Sequence, residues 1–586
     1  MEIINKIVSR IYNSNLKVFI ILALLVFGTY FQSLSFEFVA LDDYDLIVNK
    51  QHILRDLKNL PLLFKTNLFM SESGVYYRPF VMISFMIDAL IGGKNPFIYH
   101  FSNIFYHLIA SFLLFIFLKN LINDRLKSFL FSLIFSVHPA LSQAIVWIPG
   151  RNDSLLLIFL ILSFVLLIKS QNTSQKKRLL FRIISLVSFF FALLIKENAA
   201  LILLFILFYL ILLNEKEIDY KKVIRTFLVY LVPLLIYLLM RSTADVESPL
   251  SENLVLTPVD YIKGLINYFG KIFIPVNLSV LTFPENINPV YGIISLSIFI
   301  ALSISGIHNL KLYVFGILWF LFFLLSGMIG LTGFTNFLDH RLYVPIVGIF
   351  ISLIQLKFFD QIKSEIIIAA LSIYIVALFY LNINHTKNFN DPLTFYKSAV
   401  ETAPQSFFTH RGLANVYHRL SKYELAEKHY RKSMELNSSS AETYLNFGIN
   451  FKKEGLIDSA EFYFLKAIKL NPQLESAYNN LGNLYLQKNL FDKSEFYLRQ
   501  AIRLNPRYFE AYNNLGVLYA KTGNDAQAYK YFKRSIEINP FFAEGYFNLA
   551  IYFFNKNQLD SSYYFYQKAI QNGFPERNIL SDKLKR

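Results

Sequence analysis

The chain has 586 residues, of which 17% are charged and 17% aromatic, with a formal net charge of +16 and a mean hydropathy of +0.40. A soluble globule carries about 25% charged residues, so most of this chain must avoid water. Many Lys and Arg sit in short loops between apolar runs, where they orient a membrane protein rather than bind nucleic acid, and the lack of Cys excludes disulfides and thiolate metal sites.

A spanning helix needs about 20 mostly apolar residues. Such runs are predicted at 18–36, 97–118, 128–146, 154–168, 179–195, 198–213, 223–240, 289–306, 312–330, 342–356 and 365–382, eleven in all. The first follows Lys6, Arg10 and Lys17, and bulky Phe31, Leu34 and Phe36 stand where a signal peptide would need small residues. It reads as a retained span with a cytoplasmic N-terminus. The even-numbered loops then hold Lys119, Arg125 and Lys127, then Lys176, Lys177 and Arg178, then Lys216, Lys221, Lys222 and Arg225, with Lys311, Lys357 and Lys363 further on. That is the positive-inside pattern. An odd span count places whatever follows outside the cytoplasm. Two outside loops, 37–96 and 241–288, are long and Pro-rich, and are expected to form short helices along the membrane surface.

Near residue 385 the character changes. Residues 1–385 read as the membrane domain, 386–406 as a linker, 407–576 as a soluble array of five repeats, and 577–586 as a tail. The array repeats every 34 residues: Gly448, Gly482 and Gly516 share one phase with Ala550, and Asn471-Pro472, Asn505-Pro506 and Asn539-Pro540 share another. That period marks tetratricopeptide (TPR) repeats, so the whole chain is expected to be all-α: a polytopic bundle followed by an α-solenoid. Asn446, Asn480, Asn514 and Asn548 form a polar phase. Amides on a concave face can hold an extended peptide by its backbone; the competing reading is local bonding within the solenoid.

On the predicted topology the polar residues of the membrane part gather on the outer side. Asp42 and Asp43 follow the first span, and a carboxylate near a low-dielectric boundary can take a proton from a hydroxyl; as a plain alternative, the pair caps a helix. Arg78 precedes the second span. His100 and His107, seven apart, share a helix face and suit bundle packing. His138-Pro139 can end or kink a span. Arg151 follows the third span, and Lys196-Glu197 can be a turn ion pair. Arg341 suits an anionic phosphate, or anchors the interface together with Tyr343.

The ordered set Asp42-Asp43, Tyr77-Arg78-Pro79, Asn95-Pro96-Phe97-Ile98-Tyr99-His100, Asn103, His107, His138-Pro139, Gly150-Arg151, Lys196-Glu197 and Arg341-Leu342-Tyr343-Val344-Pro345 resembles the TPR-containing transmembrane O-mannosyltransferase-like proteins. These belong to the polytopic glycosyltransferases of the GT-C fold. The resemblance runs over nearly the whole chain. It implies that Asp42 or Asp43 is the general base and that the donor is a polyprenyl-phosphate-linked sugar, mannose or another hexose, transferred with inversion. Arg341, with His138, Arg151 and Lys196, would stabilise the departing phosphate, and Arg78, His100, Glu197 and Tyr343 are further site candidates. The resemblance leaves open which carboxylate acts and whether a divalent metal takes part. The acceptor would be a protein Ser or Thr recruited by the repeats. Two other readings stand beside this one: a non-catalytic envelope scaffold, which would tolerate loss of Asp42 and Asp43, and a GT-C enzyme acting on a lipid or glycan. High Lys, Ile, Asn and Phe usage points to an AT-rich bacterial genome, hence an inner membrane with the repeats outside the cytoplasm.

Overall fold

The computed structural model describes residues 12–575, apart from 40–41, 71–73, 172, 214–218, 245, 247–256, 284–285 and 329–336. The expected tail 577–586 and parts of both long loops lie outside the described residues. Two compact units result, Met1–Ala403 and Pro404–Arg586. Every named regular element among the described residues is helical.

Helices of seven or more residues are numbered here. The first unit holds α1 (Asn15–Tyr30), α2 (Pro79–Gly92), α3 (Pro96–Ile122), α4 (Arg125–Val137), α5 (Arg151–Gln171), α6 (Gln175–Ile195), α7 (Ile202–Phe208), α8 (Tyr220–Ser242), α9 (Pro258–Phe273), α10 (Val290–Ile304), α11 (Leu310–Met328), α12 (Ile346–Ile354), α13 (Ser364–Thr386) and α14 (Pro392–Thr402). Local chemistry sets many starts. Asn95 Oδ1 accepts the Phe97 N–H ahead of α3, with Pro96 at the first helical position. Thr257 and Asp260 form a reciprocal capping box on α9.

Among the described residues seven helical segments are long and apolar enough to cross a membrane: Asn15–Ser35, Pro96–Ile122, Ile148–Gln171, Gln175–Ile195, Tyr220–Ser242, Leu310–Met328 and Ser364–Phe389. An eighth is counted if α4 and the helical stretch Pro139–Val146, bent by 58° at His138-Pro139, form one broken span. The expected count of eleven spans is not confirmed. The runs at 198–213 and 289–306 fold into shorter apolar helices. The run at 342–356 holds only the nine-residue α12, which is buried throughout. At 1.5 Å per residue α12 is about 14 Å long, well short of the ~30 Å apolar core of a bilayer. An apolar run has the same composition whether it meets lipid or other helices, so sequence alone overcounts. α11 and α12 cross with backbones almost touching: a Cβ on Gly316 would lie 2.4 Å from the Gly348 carbonyl oxygen, and one on Gly348 2.3 Å from that of Gly316.

The ends of the first and last spans are tied together. Gln32 Nε2 donates to the Ile383 carbonyl at 2.7 Å, Asn382 Nδ2 to the Tyr30 hydroxyl at 2.9 Å, and the Glu37 N–H to the Asn390 carbonyl at 2.8 Å. α1 and α13 therefore leave the bundle at the same end. The stretch read as a linker holds α14, whose Phe395 is buried and packs on Phe389; the first unit runs through it to Ala403.

The second unit is five helix pairs: α15 (Phe407–Arg419) with α16 (Tyr423–Leu436), α17 (Ala441–Glu454) with α18 (Ile457–Leu470), α19 (Glu475–Gln487) with α20 (Phe491–Leu504), α21 (Phe509–Lys521) with α22 (Asp525–Ile538), and α23 (Ala543–Asn555) with α24 (Leu559–Gln571). The 34-residue glycine phase has a steric cause. A Cβ on Gly448, Gly482 or Gly516 would come within 2.7, 2.7 or 2.5 Å of Phe464, Leu498 or Phe532 on the paired helix. The Asn-Pro phase ends α18, α20 and α22, with the Asn Oδ1 accepting the N–H two residues on, as from Gln473 to Asn471 at 3.0 Å. Asn437, which lacks the proline, makes the same turn with Ser439.

Candidate functional site at one end of the bundle

A cavity of about 400 Å³ opens at the end of the bundle where α6, α8 and α11 finish and α2 and α5 begin. Asp42 reaches it from the segment after α1, Arg78 from the residue before α2, Trp147 and Asn152 from the turn into α5, Lys196 and Glu197 from the turn after α6, and Arg241 from the last turn of α8. His340 and Arg341 arrive on the one-turn helix Asp339–Leu342. Four cations, Arg78, Lys196, Arg241 and Arg341, face two carboxylates, Asp42 and Glu197, which suits an anionic ligand.

The charges are held in pairs. Arg78 Nη2 lies 3.1 Å from Glu197 Oε2, and its guanidinium stacks 4.4 Å over the Tyr76 ring. Burial raises the Glu197 carboxyl, but Arg78 beside it outweighs that and leaves it below the usual range. Lys196 Nζ is 2.6 Å from Asp153 Oδ1; burial lowers its affinity for a proton despite this partner. His340 is buried, with Nδ1 at 3.2 Å from Gln143 Oε1 and its ring 5.4 Å from that of Trp147. Burial, then Lys196, Arg341 and Arg78, push it well below the ordinary histidine range, so the imidazole is neutral at physiological pH.

The two aspartates separate. Asp42 is half-buried and lines the cavity. Burial, then the neighbouring Asp45, raise its carboxyl to about 6, against the opposing pull of Arg78. Asp43 is fully buried, does not line the cavity, and accepts the Val39 N–H at 2.6 Å. It pins the segment that presents Asp42, and its side chain caps no helix.

Four other expected site residues lie away from this cavity. Arg151 is completely buried and bonds Asp88 at 2.6 Å, Asn103 Oδ1 at 2.8 Å and the Tyr99 carbonyl at 3.0 Å, with its guanidinium 4.6 Å over Phe85. Its charge is matched inside the bundle. His138 accepts the Ala140 N–H at Nδ1 and donates from Nε2 to the Ile272 carbonyl at 3.0 Å, so it serves the break between α4 and the following turn. His107 Nε2 donates to the Ser136 carbonyl at 3.1 Å, so its Nδ1 accepts from the Tyr343 hydroxyl at 2.6 Å; Tyr343 is thus a packing partner. His100 is buried against the Phe36 ring. Among the described residues no three His, Asp or Glu side chains converge as a metal-binding cluster.

Sequence reasoning overlooked Trp147, Arg241 and Gln143, and passed over His340 and Asp153 beside residues it chose. Trp147 carried a signal, being one of two Trp in the chain and four residues before Arg151. Arg241 resembled any cation at a helix end.

In the array, the amide ladder is mostly engaged. Asn480 Nδ2 donates to the Ser476 carbonyl at 2.8 Å, Asn514 Nδ2 to Asn479 Oδ1 at 2.8 Å, and Asn548 Nδ2 to Asn513 Oδ1 at 2.8 Å. Asn446 makes no such bond among the described residues. Local and inter-repeat bonding thus engages the amide nitrogens of three of the four.

These features define a polytopic helical membrane protein carrying a TPR array. Residues 412–440, 441–474, 476–508 and 509–542 match tetratricopeptide-repeat models. The chain is similar to protein O-mannosyl-transferases: TMTC2 of Homo sapiens, 32% identical over 148 residues (25% of this chain, 18% of that protein), TMTC3 of Homo sapiens, 32% over 160 residues (26% and 17%), and Tmtc1 of Drosophila melanogaster, 32% over 132 residues (22% and 15%). The matched stretch therefore spans under a fifth of each of these relatives. Among solved structures, MamA matches at 24% identity over 27% of this chain and 94% of that one, with a TM-score of 0.24. YrrB, a TPR protein with an unusual peptide-binding site, matches at 23% over 30% and 92%, with a TM-score of 0.24.

Proposed function

We propose that this protein is a membrane glycosyltransferase of the GT-C type, moving a hexose, mannose foremost, from a polyprenyl-phosphate donor to a Ser or Thr hydroxyl of a protein. The observation that carries this reading is the convergence of one half-buried carboxylate of raised affinity for protons, Asp42, with Arg78, Lys196, Arg241 and Arg341 on a single cavity. In the proposed reaction Asp42 takes the proton of the acceptor hydroxyl. The oxygen attacks the anomeric carbon from the face opposite the phosphate, the bond from that carbon to the phosphate oxygen breaks, and polyprenyl phosphate leaves with the electron pair. Arg341, Lys196 and Arg78 stabilise the charge on the departing phosphate. The neutral His340 and Gln143 hold the Arg341 turn in place.

The cavity lies at the opposite end of α6, α8 and α11 from Lys176, Lys177, Lys221, Lys222 and Lys311. The positive-inside rule then supports a cavity outside the cytoplasm, in a bacterial inner membrane. α13 leaves the bundle at the same end as α1, and supports a TPR array on that side too, where it would recruit the acceptor polypeptide. Resemblance to proteins named O-mannosyl-transferases supports the sugar and the acceptor class.

The test is purified full-length protein in detergent, given a synthetic polyprenyl-phosphate mannose and a Ser/Thr-rich polypeptide, with product read by intact-mass spectrometry. A hexose increment made by the wild type and abolished in Asp42→Asn is the expected result. No increment on any protein, lipid or glycan, with any polyprenyl-phosphate hexose, would overturn the reading in favour of a scaffold.

A further inference from the structure

A second polar cavity, of about 320 Å³, lies in the membrane unit between α9, the start of α10 and the segment joining them. Its size falls at the lower end of the ~300–1,000 Å³ of small-molecule sites. Its floor is a helix crossing in which backbones touch: a Cβ on Gly270 would lie 2.7 Å from the Gly292 nitrogen, and one on Gly292 2.1 Å from the Ile266 carbonyl oxygen. The floor of the space is thus set by this backbone crossing.

The lining chemistry is unlike that of the reaction cavity. Asn267, Asn286, Asn288, Thr282 and Tyr291 contribute neutral donors and acceptors. Lys271 is the one charged lining residue among those described, and its ammonium is held 2.5 Å from Asp339 Oδ1, with Thr282 Oγ1 at 3.4 Å. The one lining cation is therefore already paired, and the other polar lining groups named here are neutral. The amide nitrogens of Asn267 and Asn286 are buried with no hydrogen-bond partner among the described residues. Buried donors left unmet cost about 1–3 kcal/mol each, and a ligand rich in hydroxyls would satisfy them. An amide presents donor and acceptor side by side, which matches a vicinal diol, and the Tyr291 ring adds an apolar face for the C–H side of a pyranose.

We infer that this cavity is a saccharide-binding site that takes one neutral sugar ring, separate from the cavity that holds Asp42. Peptide backbone could meet the same amides, but a space of about 320 Å³ suits a single ring better than a chain that must enter and leave. The inference stands on this cavity's own chemistry and is independent of the transferase reading. Where that reading holds, the site would grip a sugar already on the acceptor. Its wall and the reaction cavity share one element: Asp339, bonded to Lys271 here, is followed directly by His340 and Arg341 there.

The test is saturation-transfer NMR on the full-length protein in detergent with methyl α-mannopyranoside, methyl α-glucopyranoside and a Ser/Thr peptide as probes. Expected is transfer to a glycoside that weakens about tenfold or more in Asn267→Ala/Asn286→Ala, with the thermal midpoint kept, and that persists in Asp42→Asn and Arg341→Met. Three results would overturn the inference. Transfer to neither glycoside leaves only a hydrated polar cavity. A signal lost in Arg341→Met but kept in the asparagine variant belongs to the reaction cavity. A signal from the peptide alone, lost in the asparagine variant, makes the occupant polypeptide.

Discussion

Arg151 and Asp88 form an ion pair, Nη1 to Oδ2 2.6 Å, with both side chains shut off from solvent at 0% and 2% exposure. The guanidinium has further partners in Asn103, Ser84 and the Tyr99 carbonyl, so the charge is matched within the bundle. Removing one partner of such a pair strands the other, at a cost of about 3–5 kcal/mol, whereas replacing both by apolar groups is often nearly neutral. Arg151→Met is therefore expected to lower the thermal midpoint sharply in detergent. Arg151→Met/Asp88→Leu should recover most of the loss. A donor-phosphate role for Arg151 would instead show as normal stability with lost turnover.

Asp42 and Asp43 are adjacent in sequence and opposite in role. Asp42→Asn keeps shape and removes the proton acceptor, so transfer should fall by about 10²–10⁴-fold at unchanged stability. Asp43→Ala leaves the buried Val39 N–H unpaired, which costs about 1–3 kcal/mol. Activity per folded molecule should there change little. Thermal unfolding together with the hexose-transfer assay separates the two.

The acid limb of the transfer rate should follow Asp42. Burial and Asp45 raise its carboxyl to about 6 while Arg78 opposes them. A general base must be ionised, so the rate is expected to fall about tenfold per pH unit below 6 and to level off above it. Asp45→Asn removes a like charge and should move the limb to lower pH; Arg78→Met removes the opposing cation and should move it higher. A limb that stays fixed in both variants would assign the base to another group.

Arg341 lines the reaction cavity on a turn that the buried Asp339–Lys271 pair anchors from behind. Arg341→Met should reduce kcat/KM for the lipid donor by about 10²–10³-fold, the size of losing one donor to a developing oxyanion. Lys271→Met strands Asp339, and should lower stability and donor turnover together. Steady-state kinetics at several donor concentrations, beside the thermal midpoint, distinguishes them.

The repeats were legible in the sequence because their period is local chemistry: Gly448 faces Phe464, and Asn471 turns the chain at Pro472. The cluster of polar residues at one end of the bundle was legible too, since apolar runs and loop cations set which ends lie together. Individual roles were not. Arg151 and Arg341 follow the same rule of a cation at the mouth of a span, and only packing reveals that Asp88, on a different helix, meets the first. Helix length was also hidden, because α12 is as apolar as a span but ends after nine residues. Arg241 reaches Glu197 across 44 positions of sequence, at 4.0 Å, a pairing that no local pattern encodes.

The asparagine phase of the array should divide under substitution. Asn514 and Asn548 each bridge to an asparagine of the preceding repeat, 35 residues earlier, so Asn514→Ala and Asn548→Ala should each cost about 1 kcal/mol of array stability. Asn480 bonds within its own helix and should matter less. Asn446 makes no such bond among the described residues, so Asn446→Ala should leave stability unchanged. If an acceptor chain is held by its backbone, that same change should weaken transfer to a long polypeptide while leaving transfer to a short Ser/Thr peptide intact. Equal transfer to both acceptors would remove the amides from acceptor recognition and leave them as the bonds that set the spacing of one repeat on the next.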